Sequence, residues 1–119
     1  MKIIEGITND PNQTFSLVLP DGSEAKVSLS YRDGQKGWFY SITYGTVLVN
    51  YNRRLVNSLN LLRQFRGKIS FGLACIVKDG MEPDAQDDFT SGRVEIYLLN
   101  ETERDNVEDN IIPTFKADV

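Results

Sequence analysis

The segment Glu24–Arg32, "EAKVSLSYR", constrains the fold more than any other stretch of the chain. Ala25, Val27, Leu29 and Tyr31 alternate there with Lys26, Ser28, Ser30 and Arg32. A period of two belongs to a β-strand, whose successive side chains point to opposite faces, so this segment turns one face to a core and the other to water. Residues 14–19, "TFSLVL", precede it, and "PDGS" between them is a Pro-Asp-Gly turn that reverses the chain tightly. The two segments are therefore expected to form a hairpin. Beyond the loop "DGQKG", residues 38–44, "WFYSITY", are rich in aromatic and β-branched side chains suited to a pleated, half-buried surface, and "TVLVNY" continues in the same style after Gly45. Strands joined by such short turns predict an antiparallel meander.

The second half is less uniform. Residues 68–78, "KISFGLACIVK", are apolar on both faces, as an enclosed strand requires, and residues 92–100, "GRVEIYLLN", are the expected antiparallel partner. Between the meander and this pair, residues 52–67 place Leu55, Leu59 and Leu62 at near-helical spacing, but Asn57, Ser58 and Asn60 interrupt it. An irregular or partly helical connection is expected there. "ETERDNVEDN" is acidic and has room for a short helix at most, and "IIPTFKADV" is an apolar tail whose Pro113 discourages regular structure. A chain of 119 residues with 40% hydrophobic content fits one domain with a modest core. The expected fold is all-β, a small antiparallel barrel or sandwich of about six or seven strands over residues 1–100, with an acidic then apolar C-terminal extension over 101–119.

Composition narrows the chemistry. The chain has no histidine, which removes the commonest general base and metal ligand together with every Ser-His and Cys-His nucleophile arrangement. Its single cysteine, Cys75, lies within "ISFGLACIV", where a thiol behaves as a small buried hydrophobe, and one cysteine makes no internal disulfide. A reducing, cytoplasmic site of folding fits that usage. Neither a P-loop nor a GxGxxG turn occurs, and no window approaches the roughly 18 apolar residues of a membrane helix. The N-terminus lacks the apolar core and cleavage site of a signal peptide. With 13 Lys and Arg against 17 Asp and Glu, the net charge of −4 points away from nucleic acid. The sequence thus implies no enzyme, no catalytic residues, no cofactor, no metal and no membrane partner.

Two charged stretches stand out against this background. "KDGMEPDAQDDFTSGR", residues 78–93, packs Asp79, Glu82, Asp84, Asp87 and Asp88 beside two glycines and a proline. The EF-hand spacing is absent, because Gly80 follows the first Asp directly and the flanks read as strands. A looser calcium site on Asp84, Asp87 and Asp88 is outweighed by a long, solvated hairpin connection, open to a basic neighbour. Arg53, Arg54, Arg63 and Arg66 form the one local excess of positive charge. They suit an anionic partner surface or nucleic acid, against the commoner arrangement in which a solvated loop pairs with nearby acidic groups. Trp38, Phe39, Tyr40 and Tyr44 offer aromatic surface for stacking bases, although in an acidic chain core packing is favoured.

Read in order, "PNQTFSLVL", "LVNYNRRLV", "FRGKISF", an acidic loop and "GRVEIYLL" resemble the small baseplate plug proteins of contractile-tailed phages. The resemblance covers roughly residues 3 to 100 and rests on Asn12, Gln13 and Thr14, on Asn52 and Arg53, and on Phe65, Arg66 and Gly67; the loop's Asp79, Pro83 and Asp84 match loosely, since the family's Asp-Pro order is reversed here. It implies a structural virion protein, a plug or hub component at the end of the tail tube, assembled in the host cytoplasm. Its implied partners are other baseplate hub, spike and tail-tube proteins, around which it would repeat as a homo-oligomer of threefold or sixfold symmetry. Ile111, Ile112 and Phe115, apolar and outside the strand alternation, are expected to form a partner interface with Arg53 and Arg66. The alternative is a small β-barrel binding module for single-stranded nucleic acid or another ligand, using Trp38, Tyr40 and the arginine segment.

Overall fold

The computed structural model describes residues 2–19, 22–45, 47–63, 69 and 71–107, with the side chains of residues 47 and 48 set aside. Among the described residues the chain forms seven strands, β1 (Lys2–Ile3), β2 (Asn12–Val18), β3 (Glu24–Arg32), β4 (Gly37–Tyr44), β5 (Val47–Arg54), β6 (Gly72–Val77) and β7 (Val94–Leu99), and one α-helix, α1 (Glu101–Asn106). They build two antiparallel sheets, β2-β3-β4-β5 and β1-β7-β6. The expected meander is the larger sheet. Gly22, at a φ of 88°, supplies the left-handed residue that its first turn needs, and the turn closes through Leu19 N–H to the Ser23 carbonyl at 2.8 Å.

The alternation read in β3 is the alternation seen. Ala25, Val27 and Leu29 are buried, and the register sets Val27 between Phe15 of β2 and Ile42 of β4. Trp38, Tyr40 and Ile42 continue this inner face and meet Leu73, Cys75, Val77, Val94 and Ile96 of the smaller sheet in one core. The arrangement is therefore two facing sheets and not a closed barrel. Each large side chain fully removed from water here contributes about 1.5–3 kcal/mol, which holds the sheets face to face. The outer face of the larger sheet is polar, with small hydroxyls such as Thr14 and Ser28 paired at 3.3 Å.

Several boundaries differ from expectation. β1 was not anticipated; its two residues pair with Leu98 and Tyr97 of β7, too short a stretch to show a period. β5 runs through Arg54, so the stretch expected to be irregular from Asn52 begins as strand, with Asn52 at a φ of 53° where the β4 register shifts. No α-helix forms over residues 55–63. Instead Ser58 bridges Cys75, and Leu61 N–H donates to the Leu73 carbonyl at 2.7 Å, covering the outer edge of β6. That explains why β6 is apolar on both faces: Leu73, Cys75 and Val77 face the main core, while Ala74 packs with Leu99 and Val107. Helix α1 opens on a capping box in which the Asn100 side chain accepts from Glu103 N–H at 2.8 Å and Glu103 returns to Asn100 N–H at 3.0 Å. Arg104 on α1 is buried and donates to the Ile69 carbonyl.

Candidate functional site

The acidic connection between β6 and β7 is not simply solvated; it is folded around Arg93. The Arg93 guanidinium donates to Asp79 Oδ2 at 2.9 Å, Asp84 Oδ1 at 3.1 Å, Asp88 Oδ1 at 2.8 Å and the Glu82 carbonyl at 2.9 Å. Asp88 is only 1% exposed, and its second oxygen accepts from Asp84 N–H and Ala85 N–H at 2.8 and 2.9 Å. Such charge-assisted bonds satisfy the buried carboxylate where water cannot. The hydrogen bond from Arg93, first, and then the Met81 N–H hold the Asp79 carboxyl below its ordinary range, while the same pairs with Asp79 and Asp88 hold Arg93 above its own. Glu82 Oε2 accepts from Asn57 N–H at 2.9 Å, and Asp87 is left exposed.

The same loop is fastened to the larger sheet. Trp38, 0% exposed, donates its indole N–H to the Ala85 carbonyl at 3.0 Å and meets the Phe89 ring edge-on at a centroid distance of 5.1 Å. Tyr31 Oη–H donates to the Asp84 carbonyl at 2.9 Å, and the Gln86 amide donates to the Asn9 carbonyl at 2.8 Å. The loop thus closes one end of the two-sheet core. Among the described residues no three Cys, Asp or Glu side chains are grouped to hold a metal ion. The centre on which Asp79, Asp84 and Asp88 converge is taken by a guanidinium.

On the β5 side lies an open cleft of about 520 Å³, lined among others by Tyr40, Asn50, Arg53, Arg54, Asn60 and Arg63. The local pairing that made Arg53, Arg54 and Arg63 unremarkable in sequence is not found: among the described residues no carboxylate pairs with any of them. Arg54 donates to the carbonyls of Gln35 and Lys36 at 3.3 and 3.0 Å, and Arg32 and Arg54 flank the Phe39 ring with guanidinium carbons 4.3 and 5.8 Å from its centroid. Asn50, buried beneath the cleft, donates to Tyr40 Oη at 3.0 Å. Burial pushes the Tyr40 hydroxyl above its ordinary range, against the opposing charge of Arg53.

Of the residues expected at a partner interface, Arg53 is exposed at this cleft, whereas Arg66, Ile111, Ile112 and Phe115 lie outside the described residues. Trp38 and Tyr40 do not form a stacking platform, because both are buried in the core. Sequence reasoning missed Arg93 as the organiser of the acidic loop, although a single arginine five residues after the last of five carboxylates was a readable signal. It also missed Asn50 and Asn60, whose burial nothing local announces.

Fold and site together define a small two-sheet antiparallel β-protein with a basic cleft on one strand edge and an arginine-centred loop closing one end. Residues 1–101 match the family described as cyanophage baseplate Pam3 plug gp18, and the chain belongs to this phage baseplate plug family. The match spans all seven strands and stops where α1 begins. The family is that of a structural component of the virion tail baseplate. No curated protein matches the chain.

Proposed function

We propose that the protein is a non-enzymatic plug or hub component at the end of the tail tube, acting through contacts with hub, spike and tail-tube proteins. The observation that carries this reading is the family match across both sheets. The physical demands of the role agree with it. A plug has to resist deformation, and one continuous core between two sheets, with the longest loop pinned by Arg93 and Trp38, is suited to that. It has to present surfaces to several neighbours, and the chain offers a polar hydroxyl-rich sheet face, a basic cleft, and Tyr51, 71% exposed, on an outer strand.

Repetition as a homo-oligomer of threefold or sixfold symmetry around the tail axis, after assembly in the host cytoplasm, belongs to the same proposal. So does an interface made by Ile111, Ile112 and Phe115 together with Arg53 and Arg66. Residues 101–119 act on this reading as an extension of the β domain of residues 1–100. Mass spectrometry of purified virions is expected to find the protein in stoichiometric ratio to the hub, and imaging of tails is expected to place it on the axis. Its absence from washed particles would refute the proposal. Deleting residues 110–119 is expected to leave the melting transition intact and to lower incorporation into particles. Unchanged incorporation would remove the tail from the interface.

A further inference from the structure

We propose that the arginine cleft is a docking site for a short acidic peptide segment of a neighbouring protein, with carboxylates received by Arg53 and Arg63 and a flanking apolar side chain received by Val56 and Leu61. This deepens the assembly reading, and it rests on that reading only for where the neighbour is found.

Among the described residues the cleft lining includes Arg53, Arg54 and Arg63 and no carboxylate, in a chain whose formal charge is −4. Concentrating like charges at one place is unfavourable unless something anionic is met there, and two less exposed arginines outside the cleft already have carboxylate partners. Arg93 is surrounded by Asp79, Asp84 and Asp88, and Arg104 pairs with Asp105 at 3.0 Å. Arg53 and Arg63 are exposed and have no hydrogen bond or ion pair among the described residues, so their donor forks stand free for a carboxylate. Arg54 is different. Its guanidinium is tied to the Gln35 and Lys36 carbonyls and serves as a fixed positive wall.

Polar and apolar surroundings are also present. Asn50 and Asn60, each 4% exposed, contribute to the base of the cleft, Asn60 Oδ1 being fixed by N–H groups of Leu62 and Leu73 at 3.1 and 3.2 Å. Val56, 37% exposed, and half-buried Leu61 give it an apolar side. A volume of about 520 Å³ lies within the usual range of about 300–1,000 Å³ for pockets that take small ligands, enough for a few side chains. A nucleic-acid strand fits less well. It needs cations strung along a groove and aromatic faces to stack on, while here the cations converge on one cleft and Trp38 and Tyr40 are buried. The net negative charge further repels a long polyanion, whereas a short peptide feels mainly the cations within a Debye length of about 8–10 Å.

The test is fluorescence anisotropy with the full-length protein and a labelled peptide of interspersed glutamate and leucine. The controls are the same peptide with glutamine for every glutamate, and a short oligothymidylate. Saturable binding of the acidic peptide is expected, with about tenfold weaker binding by R53Q/R63Q, a smaller loss for R53K/R63K, and no change for K26Q on the outer face of β3. Both arginine side chains are exposed, so the double variant is expected to melt within about 2 °C of the parent, which keeps its binding interpretable. Equal binding of the acidic and neutral peptides, unchanged binding by R53Q/R63Q, or tighter binding of oligothymidylate than of the acidic peptide would overturn the proposal. The plug reading is decided separately by the presence of the protein in virions.

Discussion

Replacing Arg93 by methionine isolates the interaction that shapes the acidic loop. Methionine keeps much of the apolar stem and removes the guanidinium, leaving Asp88, 1% exposed, with only the Asp84 and Ala85 N–H groups on its other oxygen. Taking one partner from a buried ion pair costs about 3–5 kcal/mol, because the remaining charge cannot be rehydrated. Arg93 is itself 23% exposed and two backbone donors remain, so the low end, about 3 kcal/mol, is expected. For a domain of this size that corresponds to a fall in melting temperature of about 12 °C. Trp38, the only tryptophan, reports directly, since its indole is bonded to Ala85 and packed on Phe89 within the same loop.

The double variant Arg93→Met/Asp88→Asn removes both charges, and the pair is expected to couple by about 2 kcal/mol in a double-mutant cycle. Asp84→Asn, whose side chain is 61% exposed, is expected to cost less than about 1 kcal/mol, and Asp79→Asn, at an exposed position, is expected to lower the melting temperature far less than Arg93→Met. An Arg93→Met protein that melts within about 3 °C of the parent, or a double variant whose loss equals the sum of the two single losses, would show that the cluster is a surface feature without structural weight.

Gly72→Ala and Gly37→Ala make a matched pair with unequal costs. A Cβ at Gly72 falls 2.9 Å from Asn60 Oδ1, which two backbone N–H groups hold in place, so about 1–3 kcal/mol of overpacking is expected in urea denaturation; at Gly37 it meets the Arg54 guanidinium at 2.7 Å, the end of an exposed, flexible side chain that yields by giving up its bonds to the Gln35 and Lys36 carbonyls, for about 1 kcal/mol or less. The reverse ranking would contradict the packing described for Asn60. Burial, reinforced by the charges of Glu82 and Asp88, pushes the Cys75 thiol up to about 12 from an ordinary 9.0. The unfolded chain therefore releases this proton first, and stability falls as pH rises from 9.0 towards about 12, by up to about 1.4 kcal/mol per pH unit. Melting curves of Cys75→Ala across that window are expected to show a shallower alkaline decline than the parent, and parallel declines would assign it to other groups such as Tyr40.

Legibility followed the range of the forces involved. The alternation of Ala25, Val27 and Leu29 and the turn glycine Gly22 are local statements, so the meander could be read strand by strand. The two-residue β1 could not, because its strand character comes from pairing with Leu98 and Tyr97, almost the whole chain away. The near-helical leucines of residues 55–62 were drawn into the sheet edge instead, where Ser58 and Leu61 bond to β6. Tertiary hydrogen bonding outweighs a weak local preference when it satisfies backbone groups that would otherwise sit unpaired on a strand edge.

Charge was the least legible property. By itself the sequence determined an acidic chain without histidine, an antiparallel β architecture, a buried thiol at Cys75, and two stretches of concentrated charge. Only the tertiary structure decided what each stretch does. It folded the acidic one inward around Arg93 and beneath Trp38, and it left Arg53 and Arg63 facing an open cleft without a carboxylate among the described residues. The physical reason is that the worth of a charge depends on its distance from the opposite charge and from water, and both are set by the packing of the two sheets.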